Sequence, residues 1–169
     1  GSAFILGRKG ERFTAPHAAF VNGYQIHSQE FDCVHEPAVA HPMASVGAVL
    51  LAEATRAPLS GKDFLAAMVA GVDIVASLGV AVQSPLKFFR PATAGIFGSI
   101  GALSRARRVS ADVAAHGFGY GLAFASGTMQ AHVEGKPSLA VQVAGAARSA
   151  IEAFDLARAG FEGPRHSFD

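Results

Sequence analysis

The chain has 169 residues, of which 50% are hydrophobic and 16% charged, and this length suits a single domain with a sizeable buried core. Its 14 basic and 13 acidic residues leave a net charge of +1, which gives no sign of the basic surface that nucleic-acid binding or attachment to an anionic membrane requires. We therefore expect no nucleic-acid partner. The single cysteine, Cys33, cannot form an internal disulfide, which favours a reducing compartment, and we expect the cytoplasm.

The first predicted elements are a helix and a loop. Thr14 is a typical N-cap, and Pro16 suits the first turn that follows it, so the sequence predicts a helix over residues 15–27. Two prolines then interrupt the chain at positions 37 and 42. Because proline lacks an N–H group and restricts the residue before it, we predict a non-helical loop over residues 33–40.

The rest of the chain predicts only helices. Apolar periodicity with start and stop signals indicates helices over residues 43–57, 93–107 and 140–159. Two further helices are predicted, of which one begins with a capping box at residues 60–63 and the other begins at Ser110. No repeat, linker or low-complexity tract interrupts this series. The sequence thus predicts an all-α, multi-helix fold in one domain over residues 1–169.

One predicted helix comes close to the composition of a membrane span. Residues 64–82 are almost entirely apolar, but Asp73 lies near their centre. A charge at the middle of a bilayer costs about 3 kcal/mol on insertion scales. We therefore expect a buried core helix and no membrane partner.

Ionisable residues concentrate between positions 29 and 42. Glu30, Asp32, His35 and His41 follow a predicted helix end, and such a loop can supply a base, an acid and carboxylates that orient the imidazoles. Each residue taken alone is more often a solvated loop group, and only the combination favours acid–base chemistry on an organic acid. Arg90 is a candidate to bind a substrate carboxylate with two N–H groups, or to form a salt bridge with a neighbouring acid.

A metal site is the competing interpretation. His27 and Glu30 have the i, i+3 spacing of ligands on one helix face, and Asp32 and His35 repeat it. Di-iron proteins need such pairs on two helices, whereas Pro37 places the second pair in a loop, and no set of cysteines is present. We expect no metal. The other histidines have no evident partners in the sequence, and they are His17, His116, His132 and His166.

Six landmarks in the chain occur in the order found in a known enzyme family. They are residues 18–23 with His27 (A-x-x-N-G…H), 30–35 (E-F-D-C-V-H beside D-F-D-D-T-H), 39–42 (V-A-H-P beside V-H-P), 89–95 (F-R-P-A-T-A-G beside F-H-x-T-x-x-G), 125–127 (A-S-G) and 159–164 (A-G-F-E-G-P beside A-x-x-G-F-T-G-P). In this order the chain resembles the MmgE/PrpD family along most of its length.

The resemblance implies a two-domain enzyme with a large helical domain and a smaller α+β lid that comes later in the chain. We expect this sequence to be an internal, partial piece of the helical domain without the lid. Family members are cofactor-free, commonly homodimeric, and move a proton at a carbon next to a carboxylate of a small di- or tricarboxylate. The resemblance therefore implies a lyase or isomerase, dehydratase-like in its chemistry, that needs no cofactor.

The resemblance also assigns roles to residues. His41 falls on an active-site histidine, which implies that it exchanges the proton, and Glu30 and Asp32 fall on acids that position it or a water molecule. Arg90 stands where the family has a second catalytic histidine, which leaves it as a candidate for holding a substrate carboxylate.

Two further candidates for substrate binding are His35 and Lys136, which lies near the position of a family lysine, although a solvent-facing turn is the commoner setting for such a lysine. Two other functions stay open. One is a non-catalytic ligand-binding or assembly domain, which lost its catalytic activity when the second histidine was replaced. The other, less favoured, is a metal-binding helical protein.

Overall fold

The computed structural model describes residues 1–168, and this part of the chain is helical without any β-strand. The α-helices are α1 Ala15–His27, α2 Pro42–Arg56, α3 Gly61–Ala81, α4 Arg90–Thr93, α5 Gly95–Arg107, α6 Ala111–Phe124, α7 Gln130–Val133 and α8 Ser138–Arg158. Within residues 1–168, β-type pairing is limited to isolated bridges, such as the one that pairs Ala3 with Phe13. The predicted all-α fold is confirmed.

The long helices pack in a bundle around α8 and α5. α8 packs against α1 and α6, α5 packs against α3 and α8, and α2 contacts α1, α3, α5 and α8. Alanine dominates the core, which lets the helix backbones approach closely, and larger side chains fill the space between them. The largest fully buried aliphatic and aromatic residues are Phe154, Leu50, Ile96, Ile100, Leu103 and Ile151.

The predicted loop over residues 33–40 is wrong in one detail, because Glu36–Ala38 forms a short 3₁₀ helix. Pro37 occupies its first turn, where a missing N–H costs nothing and the fixed φ angle is already helical. The His35 ring completes the turn, since its Nδ1 accepts a hydrogen bond of 3.2 Å from the Ala38 N–H. This turn holds the loop against the C-terminal half of α3.

The prediction that residues 64–82 form a buried core helix is wrong in extent. Only 22% of the most apolar stretch of α3 is buried, because one face packs on α5 while Leu65, Val69 and Val80 on another face are exposed. Asp73 is also exposed on this helix. Within residues 1–168, α3 is the helix that is long and apolar enough to cross a membrane by these two criteria alone.

Candidate active site

The loop after α1 turns back beneath the end of that helix. Glu30 has a left-handed backbone (φ 53°), and its N–H donates to the carbonyl of His27. Farther along, the His35 N–H donates to the Ala40 carbonyl over 2.9 Å, which closes the loop as an isolated antiparallel bridge. The chain therefore returns from α1 to the start of α2 with Asp32 held between the two helices.

Asp32 lies between two imidazoles. Its Oδ1 is 3.1 Å from His27 Nδ1 and its Oδ2 is 3.4 Å from His41 Nδ1. The Asp32 side chain is only 6% exposed, and those of His27 and His41 are 0% and 17% exposed. The two imidazole rings meet edge to face with their centroids 4.7 Å apart. One buried carboxylate thus faces a nitrogen of each ring.

His41 is the member of this cluster that is presented to a cavity. It is the N-cap residue of α2, with Pro42 in the first turn, but its side chain makes no capping hydrogen bond. The imidazole is consequently free to face Asp32 with Nδ1 and to line a cavity of about 350 Å³. The N-terminus of a 15-residue helix beside this cavity favours a bound anion.

The cavity is lined by a mixture of apolar and ionisable side chains. Its lining residues include Glu30, Glu36, His41, Phe89, Arg90 and His132. A second hollow of about 370 Å³ shares Glu30 and His132 with it and also touches His27 and Lys136. The structure therefore brings together four of the predicted site residues around the two hollows, namely Glu30, His41, Arg90 and Lys136, with Asp32 beneath them.

His35 has another place in the structure. It lines neither hollow, and its Nδ1 is engaged with the backbone of the 3₁₀ turn. This geometry gives His35 a structural role and does not support the prediction that it binds substrate.

Arg90 also has partners that its sequence position did not suggest. Its Nη1 donates to the carbonyls of Ala38 (3.2 Å) and Gly79 (3.1 Å), and its Nη2 donates to those of Val82 (3.3 Å) and Ser84 (3.5 Å). The carbonyls at the end of α3 have no partners within the helix, and the guanidinium satisfies them. These hydrogen bonds occupy the terminal N–H groups that were expected to bind a substrate carboxylate. The Arg90 guanidinium therefore lies at the cavity wall as a fixed positive charge.

Two residues of the site were missed or misread from the sequence. His27 appeared as a metal-ligand candidate and in a family landmark but not as a partner of Asp32, which lies beyond the helix end in a loop of unknown direction. His132 appeared without partners, and the structure places it on α7 at the junction of the two hollows. Nothing in the sequence signals that placement, because α7 is a four-residue helix without a start signal.

A metal ion would need a different set of ligands from the two i, i+3 pairs that the sequence suggests. Among the described residues, His27, Asp32 and His41 each offer a ligand atom within 4.8 Å of the others. The predicted partner His35 turns away from this cluster, and Glu30 Oε1 is 3.9 Å from His27 Nε2. A hydrogen bond joins His27 to Asp32, whereas His41 Nδ1 lies 3.4 Å from Asp32 as an ion-pair contact and makes no hydrogen bond within the described part of the chain.

Comparison with known proteins places the chain in a family. The model of the MmgE/PrpD N-terminal domain matches residues 1–169. The chain is 32% identical over 177 residues to cis-aconitate decarboxylase of Homo sapiens and 30% identical over 177 residues to that of Mus musculus. Each match covers 99% of this chain and 36% of the relative, so the chain spans little more than a third of the curated proteins it matches. With its ordered landmarks, its helical fold and a domain match over the whole length, this chain belongs to the MmgE/PrpD family.

Proposed function

We propose that the protein is a lyase or isomerase that moves a proton at a carbon next to a carboxylate of a small di- or tricarboxylate. The observation that carries this proposal is the His41 imidazole, which lines a cavity and faces a buried carboxylate through Nδ1. Relatives named as cis-aconitate decarboxylases support a lyase acting on a tricarboxylate. We propose that side chains of the protein, rather than a cofactor, supply the acid and the base.

The chemistry follows from the tautomer of His41. When Nδ1 carries the proton and faces Asp32, Nε2 on the other edge of the ring keeps its lone pair and can accept a proton from carbon. The electron pair of the broken C–H bond then passes into the neighbouring carboxylate as an enediolate. Loss of hydroxide from the next carbon completes a dehydration, and protonation of the opposite face by a water molecule completes an epimerisation. In a decarboxylation, the C–C bond to the leaving carboxylate breaks with release of CO₂, and an imidazole that enters this step already protonated at Nε2 by solvent delivers that proton to the resulting carbanion.

Fixed positive charge favours this route. The Arg90 guanidinium, held by the four carbonyls, and the N-terminus of α2 both border the cavity in which negative charge would accumulate. Groups that do not need to reorient stabilise such a transition state most effectively. We propose that Lys136 in the adjoining hollow pairs with a second carboxylate, and that Glu30, which lines both hollows, positions a water molecule or a substrate hydroxyl.

A second candidate function is carboxylate binding without catalysis. Arg90 occupies the position at which the resemblance implies a second catalytic histidine, and its terminal N–H groups are committed to carbonyls. A site that has lost one of two proton-transfer groups can retain affinity for its ligand. The two functions differ in one observable, which is proton exchange at carbon.

The test is solvent deuterium exchange into a panel of small di- and tricarboxylates, using the protein expressed with any sequence that flanks these residues. We expect exchange next to a carboxylate, and a loss of about 100-fold or more in His41→Ala, the size of a typical general acid–base contribution. His17→Ala, an exposed histidine at the other end of α1, is the matched control and should exchange like the wild type. Binding without exchange would favour the second candidate, and an unchanged rate in His41→Ala would remove its catalytic role.

A further inference from the structure

His27 is a buried imidazole that the mechanism above does not use. It is the last residue of α1 and is among the largest fully buried side chains of the protein. Its Nε2 is buried without a hydrogen-bond partner in the described structure. Burying a polar ring in this way costs stability, so a purely structural explanation would favour an apolar residue at this position.

We propose that His27 is a positioning residue whose Nδ1–H donates to Asp32 and holds that carboxylate against His41. This inference rests on the proposed function, in which His41 transfers the proton. The chain of contacts runs from His27 Nδ1 to Asp32 Oδ1 over 3.1 Å, and from Asp32 Oδ2 to His41 Nδ1 over 3.4 Å. His27 therefore acts on the reaction through two intervening groups and does not touch the substrate.

Asp32 depends on His27 for its orientation. Within residues 1–168, the hydrogen bonds found for the Asp32 carboxylate come from His27, at 3.1 Å and 3.3 Å to its two oxygens. Asp32 itself lies in the loop between α1 and the 3₁₀ turn, where its backbone belongs to no helix. Without a donor at His27, the carboxylate could rotate towards water and lose its 3.4 Å contact with His41 Nδ1, which makes no hydrogen bond to another group among the described residues.

The His27 ring, by contrast, has little freedom. It is anchored at the end of a helix, fully buried, and packed edge to face on the His41 ring and at 5.9 Å from the ring of buried Phe89. The other charged group near it is Glu30, whose Oε1 is 3.9 Å from Nε2, beyond the length of a hydrogen bond. The firm polar contact of the ring is thus the one to Asp32.

A pair of substitutions separates positioning from packing. In His27→Asn, the amide nitrogen occupies about the place of Nδ1 and can still donate to Asp32, whereas His27→Leu fills more of the ring volume and cannot donate. We expect kcat to fall by about 10-fold or more in His27→Leu with KM little changed, as for other residues that orient a catalytic group, and to stay within about threefold of wild type in His27→Asn. The order of the two variants should be reversed for stability. We expect the unfolding midpoint of His27→Leu to be at least as high as that of His27→Asn, because the smaller polar residue leaves a cavity.

A double variant and a spectroscopic measurement complete the test. In the His41→Ala background, His27→Leu should cost no further activity, because groups that act as one unit lose their effects together. The His41 Nδ1–H proton that faces Asp32 should be slow to exchange in NMR spectra of the wild type and of His27→Asn, and lost in His27→Leu, whether or not turnover is detected.

Three results would overturn the proposal. They are equal rates in the Asn and Leu variants, additive losses in the double variant, or one bound metal ion per chain, found by elemental analysis, that both variants lose. If the wild type catalyses no exchange while the NMR signature follows the donor at position 27, the proposed function fails and the positioning of His41 stands.

Discussion

At the scale of single residues, Glu53 shows how this protein buries a charge among apolar helices. Its side chain on α2 is only 2% exposed and is paired with Arg107 Nε from α5. Arg107 also donates through Nη2 to the Glu53 carbonyl over 2.8 Å. Arg56 Nη1 lies 3.2 Å from the other Glu53 oxygen and its Nη2 donates to Asp155. Burial lowers the pKa of Arg56, but the hydrogen bond to Asp155 and the charges of Glu53 and Asp155 raise it above its usual value. The network joins α2, α5 and α8.

Removing Glu53 should be strongly destabilising. In Glu53→Ala, two guanidiniums lose their shared carboxylate in a largely dry environment, and we expect unfolding free energy to drop by about 3 kcal/mol. Denaturant unfolding followed by circular dichroism measures this change. Glu152→Ala, an exposed glutamate on α8, is the control and should stay within about 0.5 kcal/mol of wild type. Equal midpoints for the two variants would contradict the importance of the network.

The predictability of the site also differs from residue to residue. His41 and Asp32 could be singled out because ionisable groups beside prolines in an otherwise apolar chain are unusual, and the structure brings them to 3.4 Å. The partners of Arg90 could not be predicted, since backbone carbonyls 52, 11, 8 and 6 residues away carry no sequence signal. Main-chain recognition by a side chain depends on where a helix ends in space, and sequence spacing does not encode that.

At the scale of elements, the contact between α3 and α5 depends on two glycines that face each other. A Cβ built on Gly98 would lie 2.5 Å from the Gly71 carbonyl oxygen and 2.3 Å from Val75 Cγ2. Both distances are too short for real atoms, and the first obstacle is backbone that cannot move aside. The two helices therefore cross in direct backbone contact, which is possible because Gly98 has no side chain.

Gly98→Ala should accordingly separate the two helices. We expect a loss of about 2 kcal/mol or more in unfolding free energy, in the range of overpacked cores. Gly145→Ala on α8 is the matched control, because nothing lies within 4 Å of a Cβ built there, and the same change should stabilise the protein by up to about 1 kcal/mol through helix propensity. Thermal unfolding of both variants decides the matter, and a stabilised Gly98→Ala would show that the crossing is looser than described.

The start of α3 gives a pH-dependent prediction. The hydroxyl of Ser60 and the guanidinium of Arg108 hydrogen-bond to Asp63, and they hold the pKa of that carboxyl below its usual value. The folded state then binds this proton less tightly than the unfolded state, so the stabilisation is complete above the unfolded pKa and is lost as pH falls through the folded one. We expect wild type to exceed Asp63→Asn in stability at about pH 6, with the gap closing below about pH 4. A gap that stays constant to low pH would exclude this ionic contribution.

Helix positions were largely predictable, and the reasons are local. The predicted helix over residues 15–27 agrees with α1, and the Ser60 and Ser110 caps are confirmed by hydrogen bonds from the N–H groups of Asp63 and Val113. Thr14 occupies its predicted N-cap position, but its hydroxyl bonds to the His17 ring instead of to the backbone. The helices α4 and α7 were missed because four residues are too few to show apolar side chains repeating at helical spacing.

At the scale of the whole molecule, α3 is a long helix that exposes apolar side chains on one face within residues 1–168. Leu65 and Val69 are 65% and 68% exposed one helical turn apart, and Val80 is also exposed nearer the end of the helix, beyond the exposed Asp73 and Ser77. The sequence pattern alone indicates that this helix is apolar, but which face other helices cover depends on packing that only the structure shows. We propose that a second copy of the protein covers this face, because Asp73 on the same exposed helix makes insertion into a bilayer costly.

This proposal predicts a homodimer that a change on α3 dissociates. Leu65→Asp combined with Val69→Asp places two charges in the proposed interface, and burying them unpaired would cost far more than a modest interface supplies. Size-exclusion chromatography with light scattering should give a dimer for wild type and a monomer for the double variant. Val141→Asp, a partly exposed position on α8, should remain dimeric. A double variant that stays dimeric but unfolds more readily would show instead that other parts of the same polypeptide cover this face, since the curated relatives extend well beyond the 36% matched here.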